Sequence, residues 1–463
     1  MSELPNPGLS GARDLSADIP KNSTVWSLRP WWRAALLVIP VVAGAVWMGA
    51  AAVRVARSAA MLDSLSISDL QKAVARDPNN PDLINRLGLV YTYDQTDINI
   101  SESLKNLRQA VALNPRRWDF WSDLGTACDY VVDTPCADSA FAHAWALNPE
   151  MPTLGWKMGN HYLLTNRPEQ AFPFFRRLLK LSPDYLEPTF RLCLRATHDP
   201  ELIYAQVLPH GRDAFGRFSF LNFLVSTGDY DDAMKIWGQM ISGPDHAPNV
   251  ALIKPFLDFL IDHERLQEAG KVWSDLQHVG AVPAATDPSA NNLLYNGSFN
   301  QPPINTGFDW RISNSPDLVF DFSDTSAGRA RKCVRIDFSV GRNANYELLS
   351  QVVRVEPSTA YQLTANVRSD SLTSESGPRL RVTELGCNNC NIPTSDDTQG
   401  TTPWHPIEVS FATHAQTQAV QVTFWRPEAP GALGDITGTV WLDDINLHAV
   451  APAHPDPKLA RTQ

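Results

Sequence analysis

The sequence predicts a multidomain chain: an all-α array of helical repeats followed by an all-β sandwich, with one membrane-length helix near the N-terminus. Three observations predict it. A set of large and small residues between Trp118 and Pro149 recurs about 34 residues later. The stretch from Ala34 to Val53 carries no charge. Beyond Val279 the hydrophobic spacing changes from helical to a period of two.

The repeats come first. Trp121, Leu124, Gly125, Ala137, Phe141, Ala144, Leu147 and Pro149 form one unit, and Met158, Gly159, Tyr162, Ala171, Phe175 and Pro183 repeat it. Large residues on a first helix receive a second helix, and Gly125 and Ala137 let the two backbones approach. Upstream, Leu87, Gly88, Tyr91, Ala110, Leu113 and Pro115 form a copy lengthened around Asp97 to Ser101, preceded by the partial copy Leu70, Ala73 and Pro78. Downstream, Ala205 ends a degenerate copy, Gly228 to Trp237 carry the turn and second helix of another, and Ala269, Trp273 and Leu276 suggest a last. The pattern resembles tetratricopeptide repeat (TPR) proteins over residues 61–279, which implies a solenoid that binds a protein partner along its surface. Trp118, Trp121, Trp145, Trp237 and Trp273 are expected to be packing residues.

The uncharged run is bracketed by Arg33 and Arg54, with Trp26, Trp31 and Trp32 at its near edge, where amphipathic rings favour a membrane interface. Residues 34–57 are therefore expected to form a transmembrane helix after a disordered cytoplasmic lead, residues 1–33. A cleaved signal peptide is the competing reading, because small residues follow the run. Against it stand the polar lead and an apolar stretch longer than the ~7 to 15 residues of a signal core. Charges flank the span evenly, so they do not set its orientation.

Residues 280–290, rich in Ala and Pro, read as a flexible linker that leaves the following domain its own melting transition. Strands follow at Val334 to Val340, Tyr361 to Val367, Ile407 to Phe411 and Val420 to Phe424, each alternating apolar with polar residues. The region opens with Asn296-Gly297-Ser298-Phe299, then Gly307 and Trp310, has Trp404 leading into a strand, and closes with Val440-Trp441-Leu442-Asp443-Asp444-Ile445. These phrases resemble the galactose-binding-like jelly rolls of carbohydrate-binding modules, over residues 291–450, with a disordered tail at 451–463. The resemblance implies a jelly roll, and Trp310, Trp404 and Trp441 are expected to be core residues. It also bears on calcium. The family often has Glu where this chain has Asn300, and that Glu helps hold a structural calcium with a closing Asp. A calcium site here would use Asn300 with Asp443 or Asp444, weakened by the neutral amide.

Strand parity selects a sugar-binding face. If Val420, Val422 and Phe424 point inward, Gln421, Thr423 and Trp425 point outward, and Gln362, Asn366 and Arg381 share that parity on their own strands. A flat indole stacks on a pyranose, and amides and guanidinium groups bond its hydroxyls. The competing reading is that another part of the chain covers Trp425.

Six cysteines add evidence of compartment. Cys128 with Cys136, and Cys387 with Cys390, lie close enough in sequence for two local disulfides, which suit an oxidising environment; Cys193 and Cys333 sit in apolar sequence as buried thiols. Cys387-x2-Cys390 alone is half a zinc site without a second pair. A net charge of −11 argues against a nucleic-acid partner. No nucleophile elbow, zinc-protease helix or phosphate loop is present, so the chain is expected not to be an enzyme. Together these readings describe a single-pass protein of the inner membrane with extracytoplasmic C-terminal domains. It would act as a non-catalytic scaffold that binds protein through its repeats and a glycan through its sandwich, in bacterial polysaccharide assembly or export. The alternatives are a protein-only scaffold with a structural sandwich and, last, a glycan-modifying enzyme with an unrecognised site.

Overall fold

The computed structural model describes residues 31–93, 98–208, 215–243, 249–284, 291–325, 332–387, 390–431 and 433–450. The lead as far as residue 30, the tail at 451–463 and linker residues 285–290 lie outside this set. The chain forms two compact units, Met1–Pro149 and Glu150–Gln463.

The first unit holds α1 (Trp31–Met61), α2 (Ile67–Arg76), α3 (Pro81–Tyr93), α4 (Ile100–Leu113), α5 (Trp118–Tyr130) and α6 (Thr134–Leu147). The stretch Val38–Arg57 of α1 is long and apolar enough to cross a membrane, and none of it is buried. Of the remaining helices, α3 packs closely with α4 and α5 with α6, and α2 packs against α3. Ser66, Asn99 and Asp133 cap α2, α4 and α6 by accepting from backbone amides one turn in. Glycine sets the pairing distance. A methyl group on Gly125 would lie 2.9 Å from the Phe141 ring, and one on Gly88 would lie 2.7 Å from Leu107.

The second unit continues the pattern with α7 (Pro152–Leu164), α8 (Pro168–Leu181), α9 (Leu186–Thr197), the short α10 (Pro200–Gln206), α11 (Phe215–Thr227), α12 (Tyr230–Ser242), α13 (Val250–Asp262) and α14 (Leu266–His278). Gly159 repeats the device, with Phe175 only 2.4 Å from where its Cβ would be.

Among its described residues, the β domain of this unit has nine strands: β1 (Arg311–Ile312), β2 (Leu318–Asp321), β3 (Val334–Arg342), β4 (Tyr346–Arg354), β5 (Ala360–Leu372), β6 (Arg379–Glu384), β7 (Gly400–Ala412), β8 (Ala419–Arg426) and β9 (Ile436–Ala449). They make an antiparallel four-stranded sheet ordered β1-β4-β8-β6 and a five-stranded sheet ordered β2-β3-β9-β5-β7. Inward residues of both, including Ile336, Leu363, Val409, Val422 and Phe424, fill one core with Trp310. The opening and closing phrases meet there: the Ile445 amide donates to Gly297 O at 3.0 Å, and a Cβ on Gly297 would lie 2.2 Å from Ile445 O.

Three expectations need correction. Trp404 is half-buried on β7 and stands outside the core that holds Trp310. Trp441 is buried but also stands outside that core, with the Arg368 guanidinium 4.5 Å from its ring centroid. Val340 is exposed, because the register of β3 against β9 shifts between Phe338 and Arg342 and the alternation ends there. The second compact unit holds the later repeats together with the sandwich. The last repeats share a hydrophobic core with the sandwich, in which Trp273 meets Tyr295 and Phe308 edge-on, with ring centroids 5.3 and 6.1 Å away, and Val352 and Ala419 join from the four-stranded sheet.

Candidate carbohydrate-binding face and neighbouring sites

Residues directly opposite each other on antiparallel strands share a face, so the registers define the outer surface of the four-stranded sheet row by row. One row is Glu347, Trp425 and Arg379; the next is Arg311, Ser350, Thr423 and Arg381; the third is Val352, Gln421 and Thr383. Trp425, Thr423, Gln421 and Arg381 are therefore on one face. A bulge in β4 between Glu347 and Leu349 brings Glu347 opposite Trp425.

Trp425 is partly exposed, and the Arg381 guanidinium lies 4.6 Å from its ring centroid. Its Nε1 donates to Asn345 Oδ1. Glu347 accepts from Gln421 Nε2 at 3.0 Å and from Arg381 Nη2 at 3.4 Å. The cluster thus presents an indole edge, an amide, a guanidinium and a carboxylate, the groups that pair with sugar hydroxyls and C–H faces. Thr423 is fully buried, and its Oγ1 has no hydrogen-bond partner.

Gln362 and Asn366 are elsewhere. Both stand on β5 of the five-stranded sheet, where Gln362 Nε2 donates to Glu408 at 3.0 Å and Asn366 Nδ2 to Asp444 at 3.3 Å. Parity sets which face of its own strand a residue takes, but it does not say which of two layers the strand joins. Of the six residues expected on one platform, Trp425, Gln421 and Arg381 share an accessible face, Thr423 stands on that face but is fully buried, and Gln362 and Asn366 belong to the other sheet.

The other end of the same outer face is covered by repeat helices. Arg311 Nη2 donates to Asp258 of α13 at 3.0 Å, and Asp258 also accepts from Thr306 Oγ1 at 2.9 Å, Gly307 N at 3.2 Å and Lys254 Nζ at 2.9 Å. Burial raises the Asp258 pKa, but these donors outweigh it and hold the carboxyl below its ordinary value. Beside this junction lies a cleft of about 780 Å³ whose lining includes Gln267, Asn291, Arg354, Glu356, Gln418 and His448. A second cleft, of about 520 Å³, opens between α9 and α11, with Glu187, Phe190, Asn222 and Phe223 in its wall. The Asn222 Oδ1 atom is buried without a partner.

Sequence reasoning missed Arg426, although the parity that sends Trp425 outward sends Arg426 inward. Its side chain is fully buried and donates to Ser376 O at 3.1 Å, Asn343 Oδ1 at 3.1 Å, Ala344 O at 2.6 Å, Ser374 Oγ at 2.8 Å and Gly434 O. Burial lowers its pKa. The guanidinium thereby ties together three loops at the Trp425 end of the sheet.

Of the residues expected to hold calcium, Asn300 is exposed and Asp443 is buried. Asp443 and Asp444 lie within β9, whose register against β5 shifts beside them. Asp444 has φ 51°. Cys128 is bonded to Cys136 across the α5–α6 turn, and Cys387 to Cys390 after β6. Cys193 and Cys333 are buried thiols outside either disulfide, and burial pushes Cys193 up to about 12. Among the described residues, Cys387, Cys390 and His414 form a group of metal-ligand side chains, all within 4.8 Å.

No protein-family model matches the chain, and no curated protein matches it. Among solved structures, a crystal structure of MamA aligns at 18% identity over 37% of this chain and 83% of that one, with a TM-score of 0.26. YrrB, described as a TPR protein with an unusual peptide-binding site, aligns at 12% identity over 47% of this chain and 95% of that one, with a TM-score of 0.25. TmCBM61 in complex with β-1,4-galactotriose aligns at 19% identity over 35% of this chain and all of that one, with a TM-score of 0.24.

Proposed function

We propose that this chain is a membrane-anchored, non-catalytic scaffold whose TPR-type repeats bind a protein partner and whose jelly-roll sandwich binds a glycan on the extracytoplasmic side. It would be a single-pass protein of the inner membrane, acting in bacterial polysaccharide assembly or export. The observation that carries the glycan reading is the Trp425 cluster, in which an indole at the surface is flanked by Arg381, Gln421 and Glu347. Exposing so large a ring forgoes burial, and a ligand that stacks on it recovers the difference. The protein-binding reading is supported by the cleft between α9 and α11, where Phe190 and Phe223 flank the unpartnered Asn222 Oδ1. A peptide laid there would gain apolar contact along the cleft wall, where Phe215 is exposed.

The test uses the full chain in detergent. Binding to an envelope polysaccharide should quench tryptophan fluorescence, and Trp425→Ala should abolish retention on a polysaccharide gel without changing the unfolding midpoint by more than ~1 kcal/mol equivalent. Unchanged retention would exclude the Trp425 face. The second reading, a protein-only scaffold, draws on the docking of α13 and α14 across part of the same sheet. Absence of binding to every envelope polysaccharide tried would favour it.

A further inference from the structure

We infer that reduction of the Cys387–Cys390 disulfide opens a zinc site in which the two thiolates and His414 are the protein ligands. Sequence offered a Cys-x2-Cys pair with no partner pair; the fold supplies the third ligand from a distant turn. The turn after β6 carries Cys387 and Cys390, and the β7–β8 turn carries His414. Cys390 Sγ lies 3.1 Å from His414 Nδ1 and 3.9 Å from Nε2.

The β7–β8 turn is fixed by Glu384 at the end of β6, whose side chain is almost entirely buried. Its carboxylate accepts from the His414 amide at 3.0 Å and from Thr417 Oγ1, and it lies 2.8 Å from His414 Nδ1. With Nδ1–H donating to Glu384, Nε2 is left as the ligand atom. A carboxylate holding the far nitrogen of a histidine is the usual support of a zinc-bound imidazole, because it sets the tautomer and raises ligand basicity. Two sulfurs and one imidazole leave a fourth, tetrahedral position for water.

Reduction is chemically accessible. Cys387 and Cys390 are partly exposed and His414 is exposed, whereas the thiols of Cys193 and Cys333 are buried. A dithiol reductant supplies two electrons and two protons: its thiolate attacks one sulfur, the mixed disulfide is resolved by its second thiol, and the S–S bond becomes two thiols. Zinc then displaces both thiol protons. The disulfide links residues only three apart in sequence, so it constrains the unfolded chain less than a longer loop would. Opening it should leave the sandwich folded.

The test measures zinc uptake by the full chain against a chromophoric chelator, before and after phosphine reduction. One site per chain should appear only after reduction, and cobalt in place of zinc should give a thiolate charge-transfer band. Cys387→Ser and His414→Ala should each weaken binding at least ~10-fold, and Glu384→Gln by roughly 10- to 100-fold, the range for supporting carboxylates. A Cys128→Ser/Cys136→Ser variant should retain the site, which separates it from the other disulfide. Far-UV circular dichroism of each variant reports folding independently. Equal uptake by reduced wild type and Cys387→Ser, or undiminished affinity in folded His414→Ala, would overturn the inference.

Discussion

Arg311, on β1 of the sandwich, is ion-paired at 3.0 Å with Asp258, on α13. Around that pair the polypeptide is folded tightly: Lys254 also donates to the Asn305 carbonyl, and Gly307, at φ +61°, lies so close to Trp273 that a Cβ would sit 2.5 Å from its ring. Repeats and sandwich should therefore melt together. Calorimetry is expected to show one transition covering Glu150 to Val450, with Asp258→Ala lowering its stability by on the order of 2 kcal/mol, since four donors lose their acceptor. The Asp258 carboxyl titrates below its ordinary value in the folded chain, so its contribution is complete above the unfolded pKa and is lost as pH falls below about 4. A separate sandwich transition unaffected by Asp258→Ala would show that the interface carries no cooperativity.

The glycines of the repeats make a sharper steric claim. At Gly159 a methyl group would stand 2.4 Å from Phe175, and at Gly125 it would stand 2.9 Å from Phe141, so Gly159→Ala should cost more than Gly125→Ala. Both fall within roughly 1 to 3 kcal/mol of overpacking. Ala144 is fully buried, and Ala144→Trp should exceed either. Denaturant midpoints for the three variants give the order directly, and a Gly159→Ala protein as stable as wild type would mean that the helix pair opens without cost.

Much of this was legible in the sequence because local periodicity carries it. Gly88, Gly125 and Gly159 announce helix pairs, and alternation announces β5, β7 and β8. What periodicity does not carry is the assignment of strands to layers, and this is where Gln362 and Asn366 parted from Trp425. Nor does it show a side chain serving two masters. Trp273 reads as a repeat residue, yet it also seats Tyr295 and Phe308 of the sandwich region. Arg426 was hidden for a different reason: a buried guanidinium depends on acceptors at Asn343, Ser374, Ser376 and Gly434, which are scattered along the chain.

Asp309 gives a second titration with the opposite sign. It is buried beside Trp310, and burial pushes its pKa up to about 6 despite amide donors from Ile304 at 2.6 Å and Trp310 at 2.7 Å. A carboxyl whose folded pKa exceeds its unfolded pKa contributes most below pH ~4 and loses that contribution as pH rises through about 6. The expected change is on the order of 3 kcal/mol between those limits. Asp309→Asn should remove this slope, making the variant gain on wild type between pH 4 and pH 7. Parallel stability curves for the two proteins across that range would mean that Asp309 titrates normally.

The N-terminal helix supports the most direct test of topology. Val38–Arg57 is unburied along its length and spans ~30 Å at 1.5 Å per residue, the thickness of a hydrocarbon core. Pro40 lies within it, a residue that membrane helices tolerate because neighbouring groups re-satisfy the backbone. The full chain should therefore stay with membranes through alkaline washing, and its C-terminus should be cut by external protease in spheroplasts. Replacing Val46, near the middle of the run, with Arg should disfavour insertion by roughly 2.5 to 3.5 kcal/mol and shift protein into the soluble fraction. A shortened, soluble mature protein would identify the segment as a cleaved signal instead. Protection of the C-terminus would reverse the orientation, placing both disulfides in a reducing compartment and removing the support they lend to an extracytoplasmic glycan partner.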